Sequence, residues 1–255
     1  MYIFLTSLPY GAYRSYSTDY KGMNPENGFE EAIKKVWKPG SKVLFIASEP
    51  DNYEMVDLLS GELKKRLIGS GLDFCMLESC DHRSFKTTAD DINKYDAIFL
   101  SGGHVPTTND FYKEIGLRDK MRSFDGIVVG ISSGSMNSAD TVYAQPEFEG
   151  ESAAEFVRFR QGLGLVNFSI IPHYQTIKTD IVDGKRLFED ISYADSMGRR
   201  VYVFVDGTYA SKVVDKKGEK LVQVGDTVIH GEAYLLENGV ITKICDNGGE
   251  YVVKE

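Results

Sequence analysis

Ser132 stands in Gly130-Ile131-Ser132-Ser133-Gly134, a G-x-S-x-G pattern. The apolar run Ile127-Val128-Val129 precedes it, and Ser135 to Ala139 can open a helix behind it. A sharp strand-to-helix turn of this kind lifts a serine hydroxyl above a sheet edge. The flanking glycines let the backbone pass closely, and the helix N-terminus favours a developing negative charge. A serine is a poor nucleophile until a base takes its proton, and histidine is the usual base. Of the four histidines, His82 falls in the polar stretch Asp81-His82-Arg83-Ser84, expected on a surface loop, and His230 in the C-terminal strands. His104 follows Gly102-Gly103, and His173 follows Ile170-Ile171-Pro172. Both sit where a strand ends, the edge at which open α/β sheets place their sites. His173 is the better base, because Pro172 and the strand before it restrict its position. Asp206 ends the run Val201 to Val205 and precedes Gly207, so it is the expected carboxylate partner; Asp140 and Glu147 are the fallbacks. An Asp-Gly pair is also an ordinary turn. Two backbone N–H groups could receive an oxyanion: that of Ser133, just after the serine, and that of Gly103 on the paired-glycine turn.

These residues need a scaffold that brings strand ends together, and the pattern predicts one. Val43-Leu44-Phe45-Ile46-Ala47 reads as a buried strand. A helix follows from about Tyr53 to Ile68, with Met55, Leu59, Leu63 and Leu67 as its apolar face and Leu58 beside them. The alternation continues with a strand at Phe74 to Leu77, a short helix from Thr88 (a plausible cap) to Tyr95, and a strand at Ala97 to Leu100. A helix from Phe111 to Phe124 and the strand at Ile127 to Val129 complete it. Short apolar runs separated by helices predict a mostly parallel sheet with helices on both faces. After Asp140 come extended segments at Gly162 to Val166 and Ser169 to Pro172, a helix from about Gly184 to Met197, and a strand at Val201 to Val205. Beyond Ala210, turns at Lys217-Gly218, Asn238-Gly239 and Asn247-Gly248 predict C-terminal antiparallel strands. With no linker or repeat, residues 1–255 read as one domain. The aromatic, polar segment from Tyr10 to Gly28 is a candidate pocket cover or a plain surface loop.

Composition excludes several classes. A net charge of -9 argues against general nucleic-acid binding, which needs a basic surface. No apolar run reaches the length that spans a bilayer, so no membrane partner is expected. Three cysteines, Cys75, Cys80 and Cys245, lack zinc-ligand spacing and fit a reduced, cytoplasmic setting. No metal or organic cofactor is implied, since no H-E-x-x-H, phosphate loop or full dinucleotide fingerprint occurs.

Together these positions resemble the peptidase E and cyanophycinase family of serine peptidases. The family's Gly-Gly turn corresponds to Gly102-Gly103, its G-x-S-A-G-A elbow to Gly130 through Ser135, its Pro-His to Pro172-His173, and its acid before glycine to Asp206-Gly207. The resemblance implies a class I glutamine amidotransferase-like (flavodoxin-like) α/β fold and a Ser-His-acid triad. It also implies a small peptide as substrate, with a homodimer as a candidate assembly. Three departures stand out. The elbow reads Ser-Ser-Gly-Ser. His104 stands where asparagine is common, beside the substrate. Aspartyl dipeptidases of the family carry a T-R-E-x-R stretch whose first arginine pairs with the substrate's aspartate. Here that stretch reads Val182-Asp183-Gly184-Lys185-Arg186, with Asp183 in the arginine's place and Arg186 as the second arginine. An esterase or amidase on the same residues, or a ligand-binding module without turnover, are the alternatives. A glutamine amidotransferase proper would place cysteine at Ser132.

Overall fold

The computed structural model describes residues 1–10, 21–217 and 220–254. Segment 11–20, the larger part of the candidate cover, and Gly218 of one candidate turn lie outside the described residues. The first half of the chain builds a parallel sheet from β1 (Tyr2–Thr6), β2 (Ser41–Ile46), β3 (Phe74–Cys80), β4 (Ala97–Leu100) and β5 (Ile127–Ile131), hydrogen-bonded in the order β1-β5-β4-β2-β3. Helices α1 (Phe29–Val36), α2 (Tyr53–Gly69), α3 (Phe85–Thr88), α4 (Val105–Glu114), α5 (Leu117–Met121) and α6 (Ser133–Asn137) connect or flank these strands. Every residue of β4 and β5 is buried. That explains their unbroken apolar sequences: both faces are covered, so no polar alternation is called for. Phe99 is fully buried at the centre of this layer, where truncation to alanine costs about 3–5 kcal/mol.

The second half adds β6 (Thr141–Tyr143), β7 (Phe159–Gln161), β8 (Ser169–Ile171), α7 (Tyr174–Ile177), β9 (Ile181–Val182), β10 (Lys185–Arg186), α8 (Tyr193–Asp195) and β11 (Arg200–Phe204). It ends with β12 (Tyr209–Lys217), β13 (Lys220–His230), β14 (Ala233–Glu237), β15 (Val240–Cys245) and β16 (Glu250–Val252). The predicted C-terminal antiparallel strands form, but they divide between two sheets. β12, β13 and β16 extend the main sheet beyond β1, while β14 and β15 join β11 and β8 in a separate four-stranded sheet. Within that second sheet β8 and β11 run parallel. The largest buried cluster takes side chains from both sheets, Phe99 and Val128 from one and Ile170 and Phe204 from the other.

Several predicted elements shift, each for a local reason. On α2 the buried stripe is Val56, Ser60, Leu63 and Leu67, while Met55 and Leu58 are exposed. Steps of four residues precess about 40° per step around a helix of 3.6 residues per turn, so the run from Met55 to Leu67 does not keep to one face. The helix expected from Phe111 to Phe124 starts six residues earlier, with Pro106 in its first turn, and breaks at Gly116, whose φ is 63°. Thr88 ends a helical turn instead of starting one; Asp91 caps the next turn by accepting the Asn93 N–H at 2.9 Å. Gly162 to Val166 is irregular, and the strand there is β7 just before it. The helix expected from Gly184 begins as a hairpin. Asp183 and Gly184 have φ of 53° and 75°, the two positive values of a tight turn joining β9 to β10. The helical part starts at Leu187.

Candidate active site

The site lies where strand ends from the two sheets meet. At the end of β5 the chain turns into α6 through Ser132, whose φ of 49° and ψ of -111° fall outside the regions L-residues ordinarily occupy. Such a conformation costs on the order of 1–3 kcal/mol and persists only where neighbours fix it. Here the Ser132 N–H donates to the Thr6 carbonyl at 3.1 Å, and the Ser132 carbonyl accepts the Met136 N–H at 3.0 Å. Gly134 is required by contact: a Cβ there would lie 2.2 Å from the Leu100 carbonyl oxygen. The glycine of the pattern lets α6 press against β4 and holds the serine at the sheet edge.

His173 comes from the end of β8 and Asp206 from the end of β11, neighbours in the second sheet. The three side chains form one hydrogen-bonded row. His173 Nε2 is 2.9 Å from Ser132 Oγ, and His173 Nδ1 is 2.6 Å from Asp206 Oδ1. A carboxylate can only accept, so Nδ1 carries the proton and Nε2 is left to accept the Ser132 hydroxyl. Asp206 is held by two further donors that the sequence did not single out. The Ser7 hydroxyl donates to Oδ1 at 2.6 Å, and Gln175 Nε2 donates to Oδ2 at 2.6 Å. Ser7 also accepts the His173 backbone N–H at 2.9 Å, and Gln175 Oε1 accepts the Asp206 N–H at 3.0 Å. Burial pushes the Asp206 carboxyl up, but His173, Ser7 and Gln175 outweigh it and hold it below the usual aspartate range. Ser7 follows β1, which pairs with β5. Its only sequence signal was a polar residue just past an apolar run.

The Gly102-Gly103 turn lies against the serine. A Cβ on Gly102 would be 3.2 Å from Ser132 Cβ, and one on Gly103 would be 2.3 Å from Ser48 Oγ. Gly103 and Ser132 line the same pocket. Ser133 opens α6, so its N–H has no acceptor within the helix; its hydroxyl is buried and 3.1 Å from that of Thr108. His104 is adjacent but tied back: Nε2 is 2.7 Å from Glu151 Oε1 and Nδ1 is 2.8 Å from Thr107 Oγ1.

The pocket at Ser132 and His173 has a volume of about 160 Å³. Glu147 and Asp180 are its acidic lining residues. The chain around Glu147 is shaped by two anions. Glu151 accepts the N–H groups of Glu147 and Phe148 at 2.8 and 3.1 Å, and Asp183 those of Gly150 and Ser152 at 2.8 and 3.0 Å. Asp183 therefore supports a loop and does not line the pocket. Arg186 does not line it either; its guanidinium pairs with Asp190 at 2.6 Å. Of the fallback acids, Asp140 pairs with Arg118, and Glu147 faces the pocket without a hydrogen bond to His173 among the described residues. His82 bridges Asp51 and Glu114, and His230 stacks on Tyr209, both outside the site. No group of three His, Cys, Asp or Glu side chains among the described residues is arranged to hold a metal ion.

The sequence profile of Peptidase family S51 matches residues 17–209, the span from ahead of α1 through Asp206. The chain belongs to Peptidase family S51. Its S51 fold superposes on a peptidase from an acI-B1 actinobacterium with a TM-score of 0.57 and 15% identity, covering 99% of this chain and 96% of that one. A peptidase E-type protein of Listeria monocytogenes EGD-e gives a TM-score of 0.53 and 18% identity over 88% of this chain and 97% of the other. At these identities the likeness is one of fold. A curated protein named orotidine 5'-phosphate decarboxylase, from Clostridium tetani, is 26% identical over 141 residues, 51% of this chain and 47% of that protein. The chain thus spans about half the length of that relative. No helix among the described residues is long and apolar enough to cross a membrane.

Proposed function

We propose that this S51 protein is a serine peptidase that hydrolyses short peptides through an acyl-enzyme, with Ser132 as nucleophile. The reading rests on one observation: Ser132, His173 and Asp206 stand in a single hydrogen-bonded row opening on a pocket. His173 takes the Ser132 proton as the oxygen attacks the peptide carbonyl, and Asp206 keeps the ring in its Nδ1–H tautomer and stabilises the imidazolium. The N–H groups of Ser133 and Gly103 receive the oxyanion. His173 then protonates the leaving amine, and water repeats the sequence on the acyl-enzyme.

The test is covalent labelling by a fluorophosphonate, read by intact mass, on wild type and Ser132→Ala. One label on the wild type and none on the variant is the expected result. An unlabelled wild type beside a labelled control hydrolase would overturn the assignment. A panel of matched short peptides and esters then separates peptidase from esterase.

A further inference from the structure

We propose that the pocket beside Ser132 selects a lysine- or arginine-type side chain next to the scissile bond. This rests on the serine-peptidase reading of the same site and adds the substrate's chemistry to it. The pocket walls are apolar, with Val105, Met136, Ile177, Val182 and Leu187 among them, and its acidic lining residues, Glu147 and Asp180, stand at its solvent-exposed mouth. Among the described residues no lysine or arginine lines it. The two cations of the neighbouring β9–β10 hairpin are engaged elsewhere: Lys185 Nζ donates to the Ser152 carbonyl at 3.3 Å, and Arg186 pairs with Asp190.

The acids around the pocket fall into two groups. Asp206, Glu151, Asp183 and Asp190 each accept hydrogen bonds from protein donors. The carboxylates of Glu147 and Asp180 have no hydrogen-bond or ion-pair partner among the described residues. A third acid, Glu49, approaches the Gly103 turn, with Oε1 3.4 Å from where a Cβ on Gly103 would stand. Glu147 is exposed at its surface, yet partial desolvation by the surrounding chain, and then the nearby Glu151 and Glu49, raise its carboxyl above the usual range, partly offset by His104 and His173. A bound cation would relieve that field. Lysine and arginine suit such a surface because an aliphatic stem can lie on apolar walls while the charged tip reaches the carboxylates. An acidic side chain would meet like charge, and a neutral alkyl chain would gain the walls without the tip.

The experiment compares kcat/KM for Xaa-Ala dipeptides with Xaa as lysine, norleucine or glutamate, with free and acetylated α-amines. Lysine should exceed norleucine by about tenfold or more, glutamate should be the poorest, and acetylation should leave the ordering unchanged. In Glu147→Gln/Asp180→Asn the lysine-to-norleucine ratio should fall to within about threefold. Equal rates for lysine and norleucine, or a ratio untouched by the double substitution, would overturn the proposal. So would a lysine preference that vanishes on acetylation, since the pocket would then be reading the α-ammonium. Thermal-shift titrations with pentylamine, pentanol and pentanoate give the same ordering without turnover. If no peptide is cleaved, the peptidase reading fails, and the ordering of these three probes alone decides the pocket. Stabilisation by pentylamine alone supports the proposal; equal stabilisation or none overturns it.

Discussion

The hydrogen-bonded row behind Ser132 and the lining of the pocket in front of it treat the same functional group in opposite ways. On the side built by β5, β8 and β11, the Asp206 carboxylate receives donors from His173, Ser7 and Gln175 and is held below its ordinary pKa. In the pocket lining, Glu147 has no partner of that kind among the described residues and is pushed up. A carboxylate saturated with protein donors is committed to positioning a neighbour. One left open to the pocket is available to whatever enters. The loop around Glu147 keeps this division: Asp183 and Glu151 spend their carboxylates on backbone N–H groups, which shapes the loop and leaves Glu147 uncommitted.

Asp206→Asn should lower kcat about 10⁴-fold, because the amide favours the wrong imidazole tautomer; a loss under tenfold would show that Asp206 is not the orienting acid. Ser7→Ala comes next. A hydrogen bond to a charged group is worth about 1.5–3 kcal/mol, so the fluorophosphonate labelling rate should fall roughly ten- to hundredfold. Ser7→Thr should restore part of it, which a simple packing role would not require. In the pocket lining, Glu147→Gln should reduce kcat/KM for lysyl peptides about tenfold, measured on the matched panel. Asp183→Ala releases the N–H groups of Gly150 and Ser152 and should raise KM several-fold, with kcat less affected, since the loop and not the Ser132-His173-Asp206 row is disturbed.

The smallest effect is on acid stability. The Asp206 folded pKa lies below the ordinary value of 3.8. Its charged form therefore adds stability above that pH, and the contribution is lost as pH falls through the lower folded pKa. Denaturant midpoints for wild type should drop more steeply below about pH 4 than those of Asp206→Asn. Parallel curves would mean that the pairing carries no net stability.

Local chemistry made some parts of this protein legible in its sequence. Buried runs such as Ala97 to Leu100 have one reading once both faces are covered. Gly130-Ile131-Ser132-Ser133-Gly134 combines a candidate nucleophile with the glycine that close helix packing demands, and Pro172-His173 and Asp206-Gly207 mark strand ends. Asn238-Gly239 turns as expected, with φ of 51° and 75°. Asp183-Gly184 carried the same hairpin signal but was masked by the helical pattern that follows it. Other features are fixed by long-range pairing. Ser7 reaches Asp206 across 199 positions of sequence because β1 pairs with β5 and β12, and nothing near Ser7 announces that. The split of the C-terminal strands between two sheets depends on which edges remain to be covered. The sequence by itself determined the parallel layer, the elbow and the residue types able to do hydrolysis, because period, glycine and strand-end chemistry are local. Tertiary structure decided which acids are saturated and which stay open, because that depends on donors brought from distant strands.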